Sequence, residues 1–65
     1  MSKRGIDKAI AYFGSQSALA NALGVTRGLV SHWFVGKYKI PANWCVEIEK
    51  KTGVSRKELR PDLFD

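Results

Sequence analysis

Gln16–Trp33, QSALANALGVTRGLVSHW, is the stretch whose reading decides the fold. Leu19 and Leu23 repeat at helical spacing with small Ala20 and Ala22 between them, and Gly24 then breaks the run. Glycine enters the left-handed region without a Cβ penalty, so a helix ends cheaply there. Val25 is apolar again, and Thr26 is a good N-cap for a second helix carrying Val30 and Trp33. Ala20 adds a constraint, because two helices that cross steeply need a small residue where they touch. The pattern is a helix-turn-helix over residues 16–34. Its second helix, residues 26–34, is of the kind that enters the DNA major groove.

At about 100° per residue, Thr26, Leu29, Val30 and Trp33 fall on one side of that second helix. Arg27, Gly28, Ser31 and His32 fall on the other. The first side reads as core. The second carries a cation, a glycine, a hydroxyl and an imidazole but no acid, which suits contact with phosphates and base edges. An ordinary solvated face is the plain alternative, and it would more often carry Glu, Lys and Gln.

Sixty-five residues make one domain with a thin core and no room for an enzyme's cleft beside it. With 45% hydrophobic residues the chain is globular, not disordered. Its stability is expected to be marginal, and dimerisation would add to it. The net charge of +5 is unevenly placed: residues 1–40 hold six Lys/Arg and one acid, residues 41–65 five of each. The positive field therefore coincides with the two-helix motif, as expected of a duplex binder. Cys45 stands alone, which excludes an internal disulfide, fits a reducing compartment and reads as a small buried hydrophobe. No Cys/His cluster has metal spacing, so no metal and no cofactor is expected. The apolar stretches are too short to span a bilayer, and no signal-peptide core follows Lys3-Arg4. A cytoplasmic protein is expected.

Along the rest of the chain, Met1–Arg4 reads as a frayed basic arm, either solvated or against phosphate. A first helix is expected over Ile6–Phe13, with Ile6, Ala9, Ile10 and Phe13 inward and Tyr12 off that stripe. Gly14 closes it and Ser15 caps the next. Gln16 opens the second helix. Its amides and side chain, with solvent-facing Ser17 beside it, are candidates to meet a phosphate, or else form a plain polar first turn. After Gly36, the loop Lys37-Tyr38-Lys39 is a candidate to lie along the sugar–phosphate backbone, supplying affinity and register but no sequence choice; a solvated loop is the alternative. Pro41 suits the first position of a fourth helix reaching Thr52, with Cys45 and Ile48 inward and Gly53 at its end. Ser55 and Glu58 match a capping box for a last short helix, which Pro61 stops at Arg60. Val54 and Leu59 should pack back on the domain. Trp44, Leu63 and Phe64 are more apolar surface than a small monomer should expose, and read as a homodimer contact. Otherwise Trp44 covers the core and the tail, residues 62–65, folds over it instead of fraying.

Three segments together carry a resemblance: QSALANALGVTRGLVSHW, Ile40-Pro41-Ala42, and Val54-Ser55-Arg56-Lys57-Glu58-Leu59-Arg60-Pro61-Asp62. From about Ile6 to Asp62 the chain resembles the phage Cro repressors, and more closely the YdaS-like antitoxin group of prophage regulators. The resemblance implies a small repressor that binds a palindromic operator as a dimer. It also implies that Thr26, Arg27, Gly28, Ser31 and His32, at the start and middle of the recognition helix, read bases. Cro proteins end either in strands or in helices. Pro41, the capping box and the lack of alternating apolar residues after Gly36 favour the all-helical version, a compact bundle of about five short helices. Gly28 departs from the pattern, since a base-reading side chain is usual there; close approach to a thymine methyl or a phosphate would account for it.

The expected partners are double-stranded operator DNA and a second copy in a weak homodimer, in a bacterial cytoplasm and on the nucleoid. No membrane and no small-molecule substrate is expected. An alternative from another class is an antitoxin-like protein-interaction module that docks through Trp44, Leu63 and Phe64, with DNA binding secondary. An enzyme is the poorest reading, because His32 has no acid near it on its helix and Ser31 no orienting group.

Overall fold

Five helices succeed one another in the computed structural model, which describes residues 4–64: α1 Gly5–Phe13, α2 Gln16–Leu23, α3 Arg27–Val35, α4 Ala42–Thr52 and α5 Arg56–Leu59. The chain is all-α, and no strand occurs among the described residues. Met1–Lys3 of the expected arm and Asp65 of the tail lie outside those residues.

Local chemistry sets the boundaries. Ser15 Oγ accepts from the Ala18 N–H at 3.0 Å, and Thr26 Oγ1 from the Leu29 N–H at 3.2 Å, so α2 and α3 both start on the hydroxyl caps that the sequence offers. Between them Gly24 sits at φ 75°, ψ 27°. Its N–H donates to Asn21 O at 3.2 Å and the Val25 N–H to Ala20 O at 3.0 Å. Those two bonds close α2 and turn the chain sharply into α3. The end of α3 repeats the device at Gly36 (φ 83°), with the Lys37 N–H donating to His32 O at 2.9 Å.

The core draws one stripe from each helix: Ile6 and Ala9; Leu19, Ala20 and Leu23; Val30 and Trp33; Cys45 and Ile48; Leu59, with Ile40 and Val54 from the connections. Leu19, Val30, Cys45 and Ile48 are the largest fully buried side chains. α2 and α3 pack most extensively, with Ala20 buried at their crossing. Thr26 is exposed as the cap of α3, not part of its inward face, and Leu29 is half-buried. Cys45 lies within the core, its Sγ donating to Ile40 O at 3.7 Å, and burial pushes its thiol pKa up. It is a packing residue.

The structure departs from the sequence reading in five further places. α1 starts one residue early, at Gly5, which is buried because α5 crosses it. A Cβ there would lie 2.7 Å from the carbonyl carbon of Glu58 and 2.8 Å from the Leu59 nitrogen. Arg4 is not part of a frayed arm. It caps α1, its backbone N–H and guanidinium both reaching Asp7, and Nη1 donates to Phe34 O at 3.0 Å. Pro41 precedes α4 as its N-cap with extended ψ 152°. Ser55 Oγ accepts from the Lys57 N–H at 3.2 Å instead of the Glu58 N–H, and the Glu58 carboxylate, which meets the Ser55 backbone N–H, also accepts from Lys8 on α1, so the capping box is shared with a tertiary ion pair. Finally, the tail folds back. The Leu63 and Phe64 N–H groups donate to Arg60 O at 3.0 and 3.1 Å, and Arg56 lies over the Phe64 ring at 5.6 Å.

Candidate nucleic-acid interface

α3 presents the candidate face. Because Val30 and Trp33 are anchored in the core, rotation of the helix is fixed and Arg27 and Gly28 stand exposed on the far side, with Ser31 and His32 half-buried below them. Arg27 pairs with no acid among the described residues, so its planar fork is available to a ligand. Thr26 is committed as an acceptor to the helix through the Leu29 N–H, which leaves its O–H as donor. A Cβ at Gly28 would meet only Thr26 Oγ1, at 3.9 Å, so nothing in the fold itself demands glycine there. Val35, 67% exposed, ends the helix.

The loop after Gly36 packs onto this face. Tyr38 meets the His32 ring edge-on, with centroids 5.3 Å apart at 79°, and the Lys37 ammonium lies 5.6 Å above the Tyr38 ring. One aromatic thus touches both a candidate base reader and a candidate phosphate contact. Lys39 is drawn elsewhere, 3.5 Å from Asp62. Gln16 is half-buried and Ser17 exposed at the start of α2, where two N–H groups precede the one taken by Ser15.

Two arginines absent from the sequence-level site hold the backbone beneath these residues. Arg60 grips Asp62 with Nε at 2.8 Å and Nη2 at 2.6 Å, and Nη1 donates to Ile40 O at 2.9 Å. This fixes the far end of the Lys37-Tyr38-Lys39 loop and holds the Asp62 carboxyl well below its ordinary pKa. Arg4 does the equivalent for the last turn of α3 through Phe34 O, with its guanidinium 4.9 Å above the Phe34 ring. A cleft of about 410 Å³ opens between α1, α5 and the loop, over Ile6, Trp33, Ile40 and Leu59. Its charged rim residues, Arg4, Lys39, Glu58, Arg60 and Asp62, are all engaged in ion pairs within the chain.

The family model for the bacterial toxin YdaS matches residues 6–65, nearly the whole chain. The chain belongs to the bacterial toxin YdaS family. The family's name is that of a toxin, where the sequence resemblance pointed to an antitoxin group. One YdaS relative, "Putative transcriptional regulator YdaS" of Escherichia coli (strain K12), is 43% identical over 58 residues, 86% of this chain and 59% of that protein. The chain therefore spans about three fifths of that relative's length. A solved structure, that of "the Cro protein from putative prophage element Xfaso 1 in Xylella fastidiosa strain Ann-1", superposes with a TM-score of 0.87 at 43% identity, covering 97% of this chain and 98% of that one. This YdaS-family chain thus shares its helical architecture with that Cro protein.

Of the expected dimer residues, only Leu63 is exposed, at 50%. Trp44 and Phe64 are half-buried against the chain's own core. No helix among the described residues is long and apolar enough to cross a membrane.

Proposed function

We propose that this chain is a sequence-specific transcriptional repressor of the prophage Cro type, residues 1–65 forming a single helix-turn-helix domain that binds a palindromic operator as a homodimer. The observation that carries the reading is the acid-free face of α3, with Arg27, paired with no acid among the described residues, at its head and Lys37 just beyond its end. The Cro match and the regulator name of the relative support the same class. In this reading Arg27 makes a bidentate contact to guanine O6 and N7, while Thr26, Ser31 and His32 make single hydrogen bonds to bases. Gly28 lets the helix backbone come close. Lys37, Tyr38 and Lys39 follow one strand, and the free amides of Gln16 and Ser17 meet a phosphate at the positive end of α2. Leu63, with the rims of Trp44 and Phe64, is the self-contact, putting two copies of α3 about 34 Å apart. The protein works by binding, in the cytoplasm and on the nucleoid.

Selection of sites from random duplex DNA tests this. A palindrome with half-sites about 10 bp apart is the expected result. Arg27→Ala should then cost about 1–3 kcal/mol and relax preference at one base pair; equal weakening on every sequence would move Arg27 to a phosphate. A second reading, a protein-interaction module, draws on the family's toxin name and the exposed Leu63. Salt-sensitive binding with no enriched sequence would favour it.

A further inference from the structure

α3 carries one more side chain on the candidate face than its polar residues account for. At about 100° per residue, Val35 lies roughly 80° round the helix from Arg27, between Ser31 at about 40° and His32 at about 140°. That is the middle of the arc, yet Val35 is apolar and 67% exposed. The fold draws nothing from it: it lies outside the core, and a β-branched residue is a poor helix former on a solvated surface. It is flanked by Ser31 one turn before it and by Lys37 two residues after it, with Gly28 two turns before it on the same side. From Gly28 to Val35 is roughly 10 Å along the axis, about three base-pair steps.

We infer that Val35 is a specificity-determining residue that reads the C5-methyl group of a thymine in the major groove. The inference rests on the DNA-binding reading above. The major-groove edge offers one apolar feature, that methyl, and an isopropyl group with no hydrogen-bonding capacity can distinguish bases only through it. The surroundings fit DNA over a protein partner. The arc has a cation at each end, Arg27 and Lys37, that pairs with no acid among the described residues, and it carries no acid itself, so it complements a groove walled by phosphates.

The test uses the full chain and a selected duplex in which each thymine of a half-site is replaced in turn by deoxyuridine, removing only the methyl. For the unmodified protein, one replacement should weaken binding about fourfold, the worth of a single buried methyl group. Val35→Ala should bind the thymine duplex about as weakly as the parent binds its deoxyuridine version, and should no longer distinguish the two at that position. Its salt slope and its response at other positions should be unchanged. Val35→Thr, which keeps one γ-methyl, should retain part of the discrimination. A methyl effect absent everywhere in the half-site, or one that persists in Val35→Ala, overturns the role of Val35 while leaving operator binding intact. Failure to select any sequence overturns the DNA reading itself, and this inference with it.

Discussion

Replacing Gly28 by Ala should stabilise the protein and weaken its complex with DNA. Gly28 does not have a positive φ, and an added Cβ meets only Thr26 Oγ1 at 3.9 Å, an ordinary contact. The alanine therefore fits without strain. Helix propensity favours it by up to about 1 kcal/mol, an upper value because the position lies in the first turn of α3. For a domain of this size that corresponds to a rise in Tm of about 4–8 °C per kcal/mol. In the complex the balance reverses if the α3 backbone approaches base edges or phosphate at this point. A methyl group forced into a packed interface costs about 1–3 kcal/mol, which weakens binding roughly 5- to 150-fold. Thermal unfolding followed by far-UV circular dichroism reads the first effect, and fluorescence-anisotropy titration of a selected duplex reads the second. The salt slope should not change, because no cation is lost. A higher Tm with unchanged affinity would refute the close approach of α3 to DNA at Gly28. A lower Tm would refute the claim that the fold has room for a side chain there.

The same substitution at Gly5 should have the opposite sign on stability. Its Cβ would strike the backbone of Glu58 and Leu59 at 2.7–2.8 Å, so α1 and α5 must part, at about 1–3 kcal/mol; an unchanged Tm would mean that α5 yields freely. Lys37→Ala should flatten the salt dependence of DNA binding by about one unit, and Lys39→Ala by less, since Lys39 already has Asp62 as a counter-ion; equal slopes would show that the Asp62 pair opens on binding. Acid should destabilise the fold. Glu49 is held below the usual carboxylate range by the Arg56 backbone N–H and guanidinium, Glu58 by Lys8, and Asp62 by the Arg60 fork. The unfolded chain then binds more protons, so Tm should rise with pH through the acid range and level off above about pH 5. Unfolding scans across that range, with Glu49→Gln flattening the dependence, check this; a Tm insensitive to acid would remove these pairs from the account.

Where the physics is local, the fold is legible from the sequence. Ser15 and Thr26 cap, Gly24 and Gly36 terminate, and the apolar spacing of Leu19, Leu23, Val30 and Trp33 fixes which faces meet, because each of these signals acts within one or two helical turns. The illegible parts join distant residues. Glu58 meets the Ser55 N–H as its spacing suggests, yet it also reaches Lys8, 50 residues before it, because folding brings α1 across α5. Gly5 gives no sign in the sequence that another backbone lies against it. Phe64 reads as a fraying apolar residue, and the Arg56 guanidinium above its ring gives it a place.

Ion pairing also changes what the charge distribution means. Counting cations by halves of the chain puts six in residues 1–40, but Arg4 pairs with Asp7, Lys8 with Glu58 and Lys39 with Asp62. Of the described cations in that half, Arg27 and Lys37 are left without an acid, one at each end of the same helix face. The paired arginines are not idle, since Arg4 and Arg60 brace the carbonyls of Phe34 and Ile40 on either side of the Lys37-Tyr38-Lys39 loop. A small domain with a thin core has little apolar material with which to fix a polar surface. Here charged side chains at the ends of α1 and α5 take that task, and of the described cations in residues 1–40 the two without an acid, Arg27 and Lys37, flank the candidate DNA face.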